Sequence, residues 1–255
     1  MDKVTPKKSL GQHFLTDHNI ARKIIRNIDI DSCKNVIELG PGTGILTKYL
    51  VELDGIDLML VEIDKQSVQW LAIHYPELEN KTINKDFLKL DVGTFFHQPF
   101  ILIGNFPYNI SSQIFFKVLE YKDLVIEVVC MIQKEVAERI NAGPGSKTYG
   151  ILSVFLQTFY DIEYLFTVNE NVFNPPPKVK SAVIKLNRNN RTSLPCSLEL
   201  FFKVVKASFN QRRKMMRNSL KAISPELPDT ILLQKRPEQL GVEDFIKLTA
   251  LIEKK

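Results

Sequence analysis

Apolar and polar positions alternate along this chain in two different rhythms. Short apolar runs at residues 35–39, 57–63, 81–84, 100–104 and 124–132 predict five strands. Between them, residues 45–53, 65–74 and 112–121 carry apolar side chains at helical spacing and predict helices. Strands alternating with helices build βαβ units, and strands this uniformly apolar belong to a mostly parallel sheet buried on both faces. After Gly143-Pro144-Gly145, the long apolar stretch 151–166 predicts a helix followed by a strand, and residues 181–186 predict a further strand. These two late strands, with a proline-rich loop between them, predict an antiparallel hairpin added to the parallel sheet. Beyond residue 194 only helical spacing remains, at 198–209, 212–222 and 242–253. The expected architecture is α/β: a Rossmann-like, mostly parallel seven-stranded sheet over residues 1–190, and a small all-helical domain over 191–255.

Composition adds that the chain can bury a sizeable core, since 44% of its 255 residues are hydrophobic. Charge is informative only when divided along the chain. Residues 171–221 hold twelve Lys or Arg and one acid, Glu199, a net of +11; the whole chain is +5, so the remainder is −6. A basic strip on an acidic body fits a polyanionic partner or a solvated face. The three cysteines, Cys33, Cys130 and Cys196, lie far apart and form no CxxC pair. That spacing argues against a disulfide framework or a zinc site, and no metal is expected. No apolar run is long enough to span a bilayer, and the first ten residues are polar and basic without an apolar signal region. A cytoplasmic location is expected, and with no coiled-coil seam, a monomer.

Glycines join the first strand to the first helix, in Glu38-Leu39-Gly40-Pro41-Gly42-Thr43-Gly44. They let the backbone turn tightly and approach a ligand, although an ordinary strand-to-helix turn uses glycine too. In open α/β sheets the ligand crevice lies at the carboxyl ends of the strands. Glu62 ends the second strand about twenty residues after Gly40, where a carboxylate can accept from both hydroxyls of a ribose. Asp86 follows the third strand with Phe87 behind it, placed for an adenine ring. Either acid alone reads as a surface residue at a strand end. Three such features after three successive strands point to an adenosine-containing cofactor.

The most specific signal follows the fourth strand: Asn105-Phe106-Pro107-Tyr108-Asn109. The exocyclic amine of adenine is a poor nucleophile because its lone pair is delocalised into the ring. Two acceptors, the Asn105 side-chain oxygen and the Phe106 backbone carbonyl, can hold it in line and make it more pyramidal. Pro107 fixes the chain direction, and Tyr108 offers a flat face for a base. The same residues would also serve a turn with Phe and Tyr in the core.

With these motifs in place, the sequence resembles the KsgA-type ribosomal RNA adenine dimethyltransferases over nearly its whole length. Lys8-Ser9-Leu10-Gly11-Gln12-His13-Phe14-Leu15 is similar to that family's N-terminal signature. The glycine segment, Glu62, Asp86 and NFPYN follow in its order. Phe173-Asn174-Pro175-Pro176-Pro177-Lys178-Val179-Lys180-Ser181 is similar to its FxPxPxVxS loop, and residues 209–220 resemble its C-terminal segment. The resemblance implies a class I methyltransferase fold and S-adenosylmethionine as cofactor. It implies two adjacent adenosines near the 3′ end of small-subunit ribosomal RNA as target, and a part in subunit maturation. The implied cofactor-binding set is His13, Leu15, Gly40, Gly42, Glu62, Ile63, Asp86, Phe87 and Asn105. The implied catalytic set is Asn105, Phe106, Pro107 and Tyr108, with Phe173 as a second aromatic closing on a flipped adenine. Many relatives carry Asn where this chain has His13; both can donate a hydrogen bond, and His adds a possible pH effect.

Arg212, Arg213, Lys214 and Arg217 are the expected RNA-binding residues. Spread around a helix they cannot all face one way, which suits backbone contacts that confer affinity with little sequence information. Competing readings are a large-subunit RNA methyltransferase conferring antibiotic resistance, a methyltransferase for a small molecule or protein amine, and a non-catalytic assembly checkpoint. A nicotinamide dehydrogenase is disfavoured by the GxGxG spacing.

Overall fold

The computed structural model describes residues 4–224 and 226–254. Among these, the strands are β1 (Phe14–Leu15), β2 (Asn35–Leu39), β3 (Asp57–Val61), β4 (Thr82–Ile83), β5 (Phe100–Asn105), β6 (Val125–Gln133), β7 (Tyr160–Val168), β8 (Phe173–Asn174) and β9 (Ser181–Arg188). The helices are α1 (His18–Ile25), α2 (Thr47–Leu50), α3 (Lys65–His74), α4 (Val92–Phe95), α5 (Ser111–Glu120), α6 (Lys134–Asn141), α7 (Ile151–Phe159), α8 (Leu198–Asn210), α9 (Met216–Ser219) and α10 (Val242–Glu253). By internal contacts the chain forms two units. One runs to Ala137 and includes Ile162–Arg188; the other joins Glu138–Asp161 to the residues from Asn189 on.

The first unit carries a seven-stranded sheet in the order β4-β3-β2-β5-β6-β9-β7. Strands β2 to β6 pair in parallel, and β9 runs antiparallel to β6 with β7 at the edge beside it. The central strand β5 is buried from Phe100 to Gly104, as an apolar strand covered on both faces must be. Strand order reverses between β2 and β5, since β3 and β4 extend one way and β6 the other. The crevice at their carboxyl ends is where ligands bind in such sheets. Away from it, the buried Glu127 is paired with Lys185 at 2.9 Å and accepts from the Asp29 amide at 3.0 Å, so neither charge is left uncompensated. The two-residue strands β1 and β8, which the apolar pattern does not predict, pair with each other as a separate antiparallel sheet.

The second unit is helical. Phe155 on α7 packs against Phe201 and Phe202 of α8, with ring centroids 6.2 and 4.4 Å apart, and Phe209 stacks on Phe245 of α10. Because α7 buries Leu152, Val154, Phe155, Leu156 and Phe159, residues 138–161 belong with these helices, and the helical unit is not a contiguous C-terminal segment. The helix expected over 212–222 is also corrected. Residues 211–214 form a turn, and only α9 is helical, its first amide donating to the Lys235 carbonyl at 2.8 Å. No helix among the described residues is long and apolar enough to cross a membrane.

Candidate active site

The turn after β2 needs glycine for a physical reason. Gly40 and Gly42 have φ of 67° and 57°, in the left-handed region. A Cβ on Gly42 would also lie 2.7 Å from the Phe14 ring. The freed Gly42 amide donates to Glu62 Oε2 at 3.1 Å, and the Asp64 amide donates to Oε1 at 2.8 Å. Burial pushes the Glu62 carboxyl up, and these two donors pull it part of the way back. Each oxygen has accepted one hydrogen bond, so acceptor capacity remains towards the cavity that Glu62 lines.

That cavity, of about 210 Å³, lies at the carboxyl ends of β2, β3 and β5. Ile63, 47% exposed, stands on its wall next to Glu62. Asp86 lines it too, capping the following turn by accepting from the Leu88 amide at 3.0 Å through Oδ1, which leaves its other oxygen for a ligand. Phe87 also lines the cavity and is 4% exposed. Beneath the glycine turn, the buried Glu38 accepts from Thr47 Oγ1 at 2.6 Å.

The loop after β5 forms the opposite wall. Asn105 Nδ2 donates to the His13 carbonyl oxygen at 2.8 Å. A carbonyl can only accept, so the amide nitrogen must face His13 and Oδ1 is turned the other way as a free acceptor. Phe106 is 1% exposed and meets Phe115 edge-on at 6.0 Å, so its side chain is core and only its backbone serves the site. The Pro107 carbonyl accepts from the Ile110 amide at 3.2 Å, closing the turn. Tyr108 hydrogen-bonds the buried Ser181 hydroxyl, and its ring stacks on His13 at 5.4 Å and 25°. Burial pushes the Tyr108 hydroxyl up, with the Ser181 bond partly opposing, so the phenol is neutral at physiological pH.

The N-terminal segment covers this cavity: Ser9, Leu10, Gly11, Gln12, His13 and Phe14 all line it. His13 Nδ1 donates to the Pro175 carbonyl at 2.7 Å. Two expected site residues are placed elsewhere. Phe173 pairs with Leu15 across β8 and β1, and both turn into the hydrophobic core at 4% and 2% exposure; Phe173 is therefore not a cavity wall. Leu15 lines only a small hollow of about 20 Å³ beside Gly40 and Asn105. Among the basic residues, Arg213, Lys214 and Arg217 are exposed, whereas Arg212 is half-buried and donates to the Ser146 carbonyl at 3.2 Å. Lys7 and Asp64 support the site without a sequence signal, because they are distant in the chain, and the motif that ends at Ser181 does not show that Tyr108 is its partner. Among the described residues, no group of three or more His, Cys, Asp or Glu could hold a metal ion.

A mostly parallel seven-stranded sheet with a reversed late strand, a glycine turn after its first strand and an acid at the end of the next defines the class I methyltransferase fold. The chain belongs to the ribosomal RNA adenine dimethylase family, whose model matches residues 4–252. It is 56% identical to a ribosomal RNA small subunit methyltransferase A of Parabacteroides distasonis, over 98% of this chain and 95% of that one. A protein of the same name from Cytophaga hutchinsonii is 53% identical over the whole of both chains. A crystal structure of a dimethyladenosine transferase from Plasmodium falciparum superposes with a TM-score of 0.78 at 26% identity, covering 92% of this chain and 96% of that one. The 23S rRNA methyltransferase ErmE, at 23% identity and a TM-score of 0.69 over 92% of this chain and 99% of that one, shares the fold.

Proposed function

We propose that this protein transfers methyl groups from S-adenosylmethionine to the exocyclic amines of two adjacent adenosines near the 3′ end of small-subunit ribosomal RNA. The product is dimethyladenosine. The observation that carries this reading is the fixed orientation of Asn105: its amide nitrogen is spent on His13, so its oxygen is held ready to accept from an amine. The cavity residues fit the cofactor. Glu62 retains acceptor capacity for two ribose hydroxyls, Asp86 retains an oxygen for the adenine edge, and the Cβ-free turn at Gly40 and Gly42 admits close approach. Ile63 supplies an apolar wall beside them, Phe87 lines the same cavity, and His13 and Asn105 close the end nearest the target base. When bound, the cofactor supplies an electrophilic methyl group on a sulfonium.

The chain's own residues prepare the nucleophile. Asn105 Oδ1 and the Phe106 carbonyl accept the two amine hydrogens, drawing the nitrogen towards a pyramidal shape and directing its lone pair. Pro107 holds the two acceptors in register, and Tyr108, clamped by Ser181 and His13, presents a fixed aromatic surface for the flipped base. The rate gain comes from positioning and from dipoles set before the reaction, and no base has to remove a proton before transfer. Arg213, Lys214 and Arg217, with Arg212 contributing part of its guanidinium, supply phosphate contacts from the helical unit. The reading implies a cytoplasmic monomer acting on an immature small subunit.

The relatives at about half identity are named for the small subunit, which favours that target over the large one. The test is to incubate the purified protein and its Asn105→Ala variant with small and large ribosomal subunits lacking the modification, and to measure dimethyladenosine by mass spectrometry. Dimethyladenosine in small-subunit RNA with the unsubstituted protein, reduced about a thousandfold in the variant, is the expected result. Product confined to the large subunit, or equal product from the variant, would sink the reading.

A further inference from the structure

The N-terminal cover is anchored to the loop after β5 as well as lying over the cavity. At one end, the Asp64 side chain has no exposed surface and receives the Lys7 ammonium, Gln12 Nε2 at 3.4 Å and the Gln66 amide at 3.1 Å. Its own backbone amide donates to Glu62 at 2.8 Å. Asp64 thus joins the cover and the start of α3 through its carboxylate, and the acid proposed for the ribose through its backbone amide. In the middle, Gly11 lies at φ 64° so close to Asn109 that a Cβ there would come within 2.5 Å of Oδ1. At the other end the His13 carbonyl holds Asn105, the His13 ring stacks on Tyr108, and the Phe14 ring lies over Gly42. The segment from Lys7 to Phe14 therefore touches the loop after β5, the glycine turn and the start of α3.

We propose that Lys7 and Asp64 are positioning residues forming a clasp that holds this cover shut, and that closing the cover aims Asn105 at the amine. Two consequences follow from the geometry. With Lys7 44% exposed, the clasp is an ion pair that salt can weaken, while the buried partner remains fixed by its helix cap. With the cover open, the Asn105 amide loses the carbonyl that fixes its orientation and can flip, so cofactor retention and amine activation fail together. The inference rests on the proposed cofactor and amine sites but not on which RNA is methylated.

The test uses the full chain with Lys7→Met, Lys7→Arg and Asp64→Asn. Release of S-adenosylhomocysteine is followed through the single tryptophan, Trp70, whose indole donates to the Thr43 carbonyl of the glycine turn at 3.2 Å. Amide hydrogen exchange of residues 7–14 is followed in the protein without cofactor. Lys7→Met should speed release about tenfold, the effect of losing roughly 1.4 kcal/mol of retention. It should accelerate exchange in residues 7–14 alone and lower turnover on unmethylated small subunits without raising the KM for the subunit. Lys7→Arg should restore all three. Salt should speed release from the unsubstituted protein but not from Lys7→Met. Asp64→Asn should match Lys7→Met, and the double variant should be no worse than either single one. Release and exchange at unsubstituted values would overturn the clasp, and so would faster exchange throughout β2 to β5, which marks general loosening. Neither readout involves RNA, so failure of the small-subunit assignment would show separately, as absence of dimethyladenosine.

Discussion

Glu38 shows how one buried side chain ties the glycine turn to pH. It is 1% exposed beneath the turn, and burial pushes its carboxyl up to about 8; the Thr47 hydroxyl pulls it down, and nearby Glu62 adds to the rise. A carboxyl whose folded value lies above its unfolded value of 4.5 binds more protons when folded, so stability falls as pH rises between about 4.5 and about 8. Glu62, shifted the same way, adds to the slope in the same direction. Urea unfolding from about pH 5.5 to about pH 8.5 should show a falling midpoint, and Glu38→Gln should flatten most of that slope. An unchanged slope in Glu38→Gln would place the responsible proton elsewhere. The sequence marks Glu38 only as part of a glycine motif; that its partner is Thr47, on the next helix, is a fact of folding.

Strand β5 leads into the Asn105–Asn109 loop that lines the cavity, and its end is fixed by contact with β2. A Cβ at Gly104 would be driven into the Leu39 carbonyl and would lie 3.2 Å from the Phe106 ring. Neither neighbour is a flexible side-chain end, so the strands must separate. Gly104→Ala should therefore destabilise by about 1–3 kcal/mol and displace Asn105, visible as a lower urea midpoint at unchanged m together with lost turnover. A midpoint equal to the unsubstituted protein's would mean that β2 and β5 yield freely. The longer elements were legible because their burial imposes a period, a continuous apolar run in a strand covered on both faces and helical spacing in a helix covered on one: Asn35–Leu39, Lys65–His74 and Val242–Glu253 form with the bounds their patterns predict. Strands β1 and β8 were not legible, since two residues carry no period and Phe14 meets Asn174 only through tertiary pairing. The placement of Asn105 and Tyr108 on the cavity was readable from residue types in order. Phe173 was not, because only the register with Leu15 shows that its ring goes into the core.

At the scale of the whole molecule, charge differs between the two units: the helical unit sums to +6 and the cavity unit to −1. The net of +11 over residues 171–221 includes Arg212, Arg213, Lys214 and Arg217 of the helical unit, against −6 elsewhere. The structure divides these four by role. Arg212 is bound to the Ser146 carbonyl and braces the loop before α7, whereas Arg213 and Arg217 are exposed and none of the ion pairs found involves them. Removing the two exposed charges in Arg213→Met/Arg217→Met should leave cofactor affinity and thermal stability unchanged. It should make the salt dependence of kcat/KM on small subunits shallower by about 1.5 in log–log slope, as expected for two lost phosphate contacts. Arg212→Met should instead lower stability by about 1 kcal/mol with a smaller change in slope, because its loss removes a hydrogen bond inside the unit. Turnover of the double variant on small subunits is to be measured across a salt series at fixed cofactor. If its slope equals that of the unsubstituted protein, the strip only solvates the helical unit. RNA affinity would then have to come from the cavity unit, which holds Lys178, Lys180, Lys185 and Arg188 of the same strip.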